Sequence, residues 1–118
     1  RDALDGGPVV VEGDGTPVRS YQYATDLVVW LLAILNRGEP GRAYNVGSNE
    51  VVDVATVAKA VAEAAGTLEV EIRGRSERIE LPERYVPDCE RACQELGVAN
   101  TVVLSEAIRR TLAWHRTN

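Results

Sequence analysis

Apolar residues occur in short runs along the chain, and their spacing predicts alternating strands and helices. The β-branched run at residues 8–12 is typical of a strand, and the glycine-rich turn at 13–15 ends it. Residues 68–73 alternate apolar and charged side chains, which is the pattern of a half-exposed strand. Residues 43–47 are predicted as another strand ending in a turn, and residues 84–88 as a short extended segment.

The longest apolar run, residues 27–35, predicts a helix that is apolar on every side. Either Thr25 or Asp26 can cap this helix, which should run to about Arg37 and stop at Gly38. A helix that is apolar all round has to be covered on all sides. We therefore expect that it forms the centre of the core or that a domain outside these residues covers one face.

Three further helices are indicated by capping residues and helical spacing. Asp53 is expected to cap a helix that stops at Gly66, and Asp88 a helix that starts at Cys89 and stops at Gly97. The side chains expected to dock on the core are Val54, Val57, Val61 and Ala65 in the second helix, and Ala107, Ile108, Leu112 and Trp114 in the last helix, which Ser105 is expected to cap. Together the elements predict an α/β unit.

Composition narrows the class of protein. The 118 residues are enough for one domain or part of one, and the net charge of −5 favours neither nucleic-acid nor membrane binding. The longest apolar run is too short to cross a bilayer, and no signal peptide is recognisable. Cys89 and Cys93 lack the spacing of a metal site or disulfide framework, so we expect reduced thiols in a cytoplasmic protein without a metal. Because the chain contains no methionine, we expect an internal or C-terminal piece of a longer protein.

The strongest candidate for chemistry is Arg19, a lone arginine between the glycine-rich turn and a pair of tyrosines. A guanidinium at a chain bend can bind an anionic group through its planar fork of donors. The alternative interpretation is a surface arginine paired with Asp14 or Asp26. Tyr21 and Tyr23 are expected to pack the turn more than to contact a ligand.

Landmarks in a fixed order extend over about residues 8–116. They are Gly13 and Gly15; Arg19, Tyr21, Tyr23 and Asp26; Tyr44-Asn45-Val46-Gly47; Arg78 ahead of Tyr85 and Asp88; Glu95-Leu96-Gly97; and Trp114-His115. Taken together they resemble the C-terminal part of the extended short-chain dehydrogenase/reductase family, whose members include NAD(P)-dependent epimerases and dehydratases of nucleotide sugars. The resemblance implies that residues 1–118 are the small α/β substrate-binding portion of such an enzyme and lack its Rossmann half.

The resemblance also implies which residues bind substrate. Arg19 would bond the diphosphate of a nucleotide sugar, Arg78 would clamp the same diphosphate or the ribose from another loop, and Asn49 would reach the nucleotide. The family pattern Arg-x-Gly-Asp is replaced by Arg78-Ile79-Glu80-Leu81, so Arg75 or Arg84 is an alternative to Arg78. Tyr44 and Asn45 are expected to be structural, with the Asn45 amide bonding the backbone, and His115 is expected to have no catalytic duty.

The chain lacks the residues that the family uses for catalysis. Neither a Gly-x-x-Gly-x-x-Gly loop nor a Tyr-x-x-x-Lys pair occurs, since Ala55 precedes the only lysine, Lys59, by four positions. NAD or NADP is therefore expected in the parent protein and not in this piece. This predicts the non-catalytic, substrate-binding half of an epimerase or dehydratase, whose partners are a nucleotide-diphosphate sugar and the missing Rossmann half.

Two other functions stay open. The chain could be a stand-alone nucleotide-binding or protein-interaction module without catalysis. It could also form a homodimer that buries the apolar helix at residues 27–35. A reading frame that encodes the glycine-rich loop upstream would favour the enzyme, whereas a start codon just before Arg1 would exclude it.

Overall fold

A computed structural model describes residues 1–67, 69–75 and 83–117 of the chain. Within these residues short strands and helices form an α/β unit, as predicted, although they do not alternate strictly. The elements are β1 (Val9–Val11), β2 (Val18–Ser20), α1 (Ala24–Arg37), β3 (Val51–Asp53), α2 (Val54–Ala65), β4 (Val70–Ile72), β5 (Arg84–Tyr85), α3 (Glu90–Leu96) and α4 (Leu104–Thr117).

The strands form two small sheets. β1 and β4 pair in parallel, and the crossover between them includes α2. The second sheet has the order β3-β2-β5, in which β2 runs antiparallel to β3 and parallel to β5. The sequence analysis missed β2, and its strand at residues 43–47 is wrong, because these residues join no ladder in the described part of the chain. Side-chain hydrogen bonds hold that segment instead, since Tyr44 donates to Glu95 Oε2 at 3.0 Å.

One predicted helix start is confirmed, and a second is displaced by one residue. The Thr56 backbone N–H donates to Asp53 Oδ1 at 2.6 Å, so Asp53 caps α2, and Gly66 ends that helix in the left-handed region with φ 82°. The Glu90 backbone N–H donates to Asp88 Oδ1 at 2.9 Å, although Cys89 is the residue directly before α3. Gly97 ends α3 with φ 63°.

Two other predicted caps are wrong. α1 begins after Tyr23, whose side chain makes no capping bond, and Thr25 and Asp26 lie within the first turn. α4 begins at Leu104, so Ser105 is its second residue. In both helices, segments distant in sequence supply hydrogen bonds that local capping rules do not include. The Leu104 backbone N–H, for example, donates to Glu50 Oε2 at 3.2 Å.

The main core cluster lies between α1 and α3. Trp30 is its largest side chain, 1% exposed, and its indole Nε1 donates to the Ala99 carbonyl at 3.1 Å. Ala33, Ala92 and Leu96 are buried around it. Leu112 of the last helix is buried, as predicted. Trp114 is exposed and its ring lies edge-on to His115, so its predicted core position is wrong.

The molecule is flat. Its extents are 46 × 43 × 17 Å and its radius of gyration is 16.6 Å, whereas a compact domain of this length has about 13–14 Å. One side of α1 is exposed, where the apolar residues are Leu27, Val28, Val29, Leu31, Leu32 and Leu35. In residues 1–67, 69–75 and 83–117, none of the helices has the length and apolar character that crossing a bilayer requires.

Candidate functional site

Arg19 lies on the middle strand of the three-stranded sheet. In the ladder it is opposite Val52 of β3 on one side and Tyr85 of β5 on the other. Its backbone is therefore fixed by two neighbours that are distant in sequence. This places the guanidinium on a rigid element, which is where a binding group is held most accurately.

The Arg19 side chain turns toward β5. Its Nη1 donates to the carbonyl of Val18 at 2.9 Å and to that of Glu83 at 3.2 Å. Its Nη2 lies 3.0 Å from Glu83 Oε2. Arg19 is thus ion-paired, as the alternative interpretation required, but with Glu83 in place of Asp14 or Asp26. The guanidinium already faces one anionic group.

Asn49 lies in a different part of the site. It is exposed and lines a cavity of about 340 Å³ together with Trp30, Cys93 and Asn100. Among the described residues that line this cavity, Arg19 does not occur. The structure therefore brings Asn49 near the core cluster and does not bring it together with Arg19 in one cavity.

Of the other candidate arginines, the structure describes Arg75 and Arg84. Arg78 lies outside the described residues. Arg75 is exposed. Arg84 is exposed on β5 and is paired in register with Val18, next to Arg19. Of the two alternatives to Arg78, Arg84 is therefore on the strand adjacent to Arg19.

The Tyr44–Gly47 motif is connected by hydrogen bonds to segments that are distant in sequence. Asn45 Nδ2 donates to the Asp88 carbonyl at 2.9 Å, which confirms the predicted bond from this amide to the backbone. Asn100 Nδ2 donates to the Gly47 carbonyl at 2.9 Å, and Asn100 Oδ1 accepts from Gln22 at 2.8 Å. Asn100 was missed by the sequence analysis, since no motif or spacing around it signals a role.

Asp26 connects the start of α1 with the segment before α4. This buried carboxylate accepts from the Thr101 N–H at 3.0 Å, the Thr101 hydroxyl at 2.7 Å and the Val102 N–H at 3.1 Å. Burial alone would raise the pKa of Asp26, but these hydrogen bonds outweigh it, with a contribution from Arg110, and the pKa lies below its ordinary value. Asp26 is therefore a charged structural residue and not a proton donor.

The two tyrosines face a second cavity. Tyr21 and Tyr23 line a space of about 700 Å³ together with Leu4, Ile108 and His115. The guanidinium of Arg110 stands 5.9 Å from the centre of the Tyr23 ring, within cation–π range. Hydrogen bonds from Arg109 and Arg110 also lower the pKa of Glu106 to about 2. These contacts agree with a packing role for Tyr23.

Comparisons with known proteins show what the chain is similar to. The model of the NAD dependent epimerase/dehydratase family matches residues 1–47. The dTDP-glucose 4,6-dehydratase of Streptomyces griseus is 32% identical over 112 residues, which cover 95% of this chain and 34% of that protein. The Bordetella bronchiseptica enzyme WbmF, solved with NAD+ and UDP, has a TM-score of 0.83 and 27% identity over 99% of this chain and 34% of that one.

A third comparison is with UDP-glucose 4-epimerase from Thermotoga maritima, solved with UDP-glucose. It has a TM-score of 0.84 and 26% identity over 98% of this chain and 37% of that enzyme. The chain is thus similar to members of the NAD dependent epimerase/dehydratase family, whose model matches its residues 1–47. It spans about a third of the length of the relatives that it matches.

The glycine-rich turn at residues 13–15 does not fit a dinucleotide. Such a cofactor needs an open glycine-rich loop between a strand and a helix. Here the glycine-rich turn is filled by protein: a Cβ at Gly15 would lie 2.9 Å from the Ala55 Cβ, and one at Gly74 would overlap the backbone of Gly13 and Asp14. These glycines allow close packing of chain segments and leave no room for a dinucleotide at this turn.

Proposed function

We propose that residues 1–118 are the C-terminal nucleotide-sugar-binding domain of an NAD(P)-dependent epimerase or dehydratase. The observation that carries the proposal is Arg19, whose guanidinium is held on the middle strand of a three-stranded sheet and faces an anionic group. WbmF and the Thermotoga maritima epimerase, both similar to this chain, have been solved with UDP and UDP-glucose. The same type of ligand suits an arginine, because a guanidinium can bond a phosphate through two parallel N–H groups.

In this proposal the domain binds and orients but does not react. Arg19 bonds the diphosphate, Arg78 or its alternative Arg84 adds a second cation, and Asn49 contacts the nucleotide. Holding the diphosphate away from the reacting carbon fixes the position of the sugar, which lowers the entropic cost of reaction. NAD or NADP and the catalytic groups belong to the remaining part of a longer, cytoplasmic enzyme.

Arg19→Ala is expected to weaken binding of a nucleotide-diphosphate sugar by about 1.5–3 kcal/mol, or roughly 10- to 150-fold in Kd, because a charge-assisted hydrogen bond is lost. The measurement is isothermal titration of UDP-glucose and dTDP-glucose into the product of the complete reading frame. Arg73→Ala is the matched control, since Arg73 forms two ion pairs, with Glu12 and Glu71, on the other sheet. Equal affinities of the Arg19 variant and the wild type would remove Arg19 from the site.

The exposed apolar side of α1 supports a second part of the proposal. Six apolar side chains of α1 are exposed in the described part of the chain, and together they form a patch that a soluble monomer seldom exposes. We propose that the Rossmann half of the longer protein packs there. About two-thirds of the length of the Streptomyces griseus dehydratase lies outside the match, which is enough for such a domain.

The isolated 118-residue chain is therefore expected to self-associate through α1 at high concentration. Leu32→Glu should shift it toward monomer, because a charge in the apolar contact is costly to bury. Sedimentation velocity measures this, and Val103→Glu is the control, since Val103 is an exposed apolar residue outside α1. A monodisperse monomer for the wild-type chain would exclude the homodimer.

The stand-alone binding module stays the alternative function. The reading frame upstream of Arg1 distinguishes the two, since the enzyme requires a strand followed by Gly-x-x-Gly-x-x-Gly and, later, Tyr-x-x-x-Lys. An initiation codon directly before Arg1 would favour the module.

A further inference from the structure

We propose that Glu83 is an internal counter-ion that occupies the anion position at Arg19 and that a ligand diphosphate has to displace. The inference rests on the proposed function, because it concerns the same arginine. It adds a residue that sets the affinity and selectivity of the site, although neither the motifs nor the resemblance points to Glu83.

The geometry fixes the backbone of Glu83 and leaves its carboxylate able to move. The Glu83 carbonyl accepts from the Val18 N–H at 2.7 Å and from Arg19 Nη1 at 3.2 Å. This residue therefore continues the pairing of β2 with β5 and stays in place when a ligand binds. The Glu83 side chain is 68% exposed, so its carboxylate can rotate into solvent without breaking those backbone bonds.

The ion pair is weak enough to be exchanged. The Arg19 side chain is 29% exposed, and ion pairs with an exposed partner typically change an equilibrium constant by less than about fivefold. A diphosphate carries more negative charge than a carboxylate and offers several acceptor oxygens in the geometry that a guanidinium prefers. Exchange of Glu83 for a diphosphate is then favourable, whereas exchange for a single carboxylate gains little. Glu83 therefore selects for the more highly charged ligand.

The contacts of Arg19 explain why one nitrogen decides the exchange. Nη1 is used by two backbone carbonyls and keeps the guanidinium in its plane beside β5. Nη2, which faces Glu83 Oε2 at 3.0 Å, is the nitrogen that changes partner. Arg19 is thus already oriented before the ligand arrives, and binding replaces one acceptor with another.

Glu83→Gln tests this inference. The expected result is a Kd for UDP or dTDP that is about two- to fivefold lower than in the wild type, because the amide keeps the size of the side chain and removes its charge. Isothermal titration into the product of the complete reading frame provides the Kd values. Glu39→Gln is the matched control, since Glu39 is also ion-paired to an arginine, Arg42, and its side chain is 67% exposed. This control should leave the Kd unchanged.

A double-mutant cycle separates competition from a general charge effect. In the Arg19→Ala background, Glu83→Gln should no longer change the Kd, because the carboxylate then has no guanidinium to occupy. An unchanged or higher Kd for Glu83→Gln alone, or an equal gain in both backgrounds, would overturn the inference while the proposed function stands. If the wild type binds neither UDP nor dTDP, the proposed function fails and the inference fails with it.

Discussion

Trp30→Ala is expected to lower the free energy of unfolding by about 3–5 kcal/mol, the range found when a large aromatic side chain is removed from a core. Trp30 is the largest buried residue of the cluster between α1 and α3, and the neighbours Ala33 and Ala92 are too small to fill the space it leaves. Its indole bond to the Ala99 carbonyl is lost as well. Urea denaturation followed by circular dichroism gives the change.

Val103→Ala is the control for this prediction. Val103 is 63% exposed and lies outside α1, so its truncation should alter the free energy of unfolding by no more than about 0.5 kcal/mol. If Trp30→Ala cost as little as Val103→Ala, the cluster between α1 and α3 would not be the core of the folded chain.

Asp26→Asn is expected to lower the free energy of unfolding by about 2–3 kcal/mol at neutral pH, because hydrogen bonds to a charged acceptor are lost. One carboxylate oxygen accepts from two backbone N–H groups, of Thr101 and Val102, and the other accepts from the Thr101 hydroxyl. An amide replaces one of these acceptors with a donor. Denaturant titration against the exposed control Asp5→Asn measures the loss.

The pH dependence of this difference follows from the lowered pKa of Asp26. A carboxylate whose pKa is lower in the folded state contributes stability that is complete above its unfolded pKa and is lost as the pH falls through the folded one. The difference in stability between wild type and Asp26→Asn should therefore be large at pH 7 and shrink toward pH 2. A difference that is constant over this range would mean that the charge of Asp26 does not stabilise the fold.

The parts of the fold that depend on neighbouring residues in sequence could be predicted. The cap of α2 at Asp53 and its end at Gly66 are local arrangements, in which a side chain or a left-handed glycine satisfies groups a few residues away. The starts of α1 and α4 could not, because Asp26 and Leu104 bond to residues more than fifty positions distant. A capping rule assigns such an aspartate to its own helix and misses the distant partner.

In the candidate site, too, local features could be predicted and contacts between distant residues could not. The glycine-rich turn and the lone arginine identify Arg19, but β2 has three residues, with no apolar alternation that predicts a strand. Arg19 pairs with Glu83, which lies 64 residues later in the chain, directly before β5. No charge pattern links that segment to Arg19. The ordered landmarks predicted a similarity to this family, and the comparisons show that similarity. The roles of Arg19, Arg78 and Asn49 stay predictions.

The strand order β3-β2-β5 has a consequence for how the chain is made. β2 is synthesised first, yet both strands that pair with it come later, and β5 is formed only from residues 84–85. A nascent chain that ends before residue 84 can pair β2 with β3 but lacks the strand on the other side of Arg19. Because such distant pairings are slow to form, we expect Arg19 to reach its final position only after β5 has been synthesised.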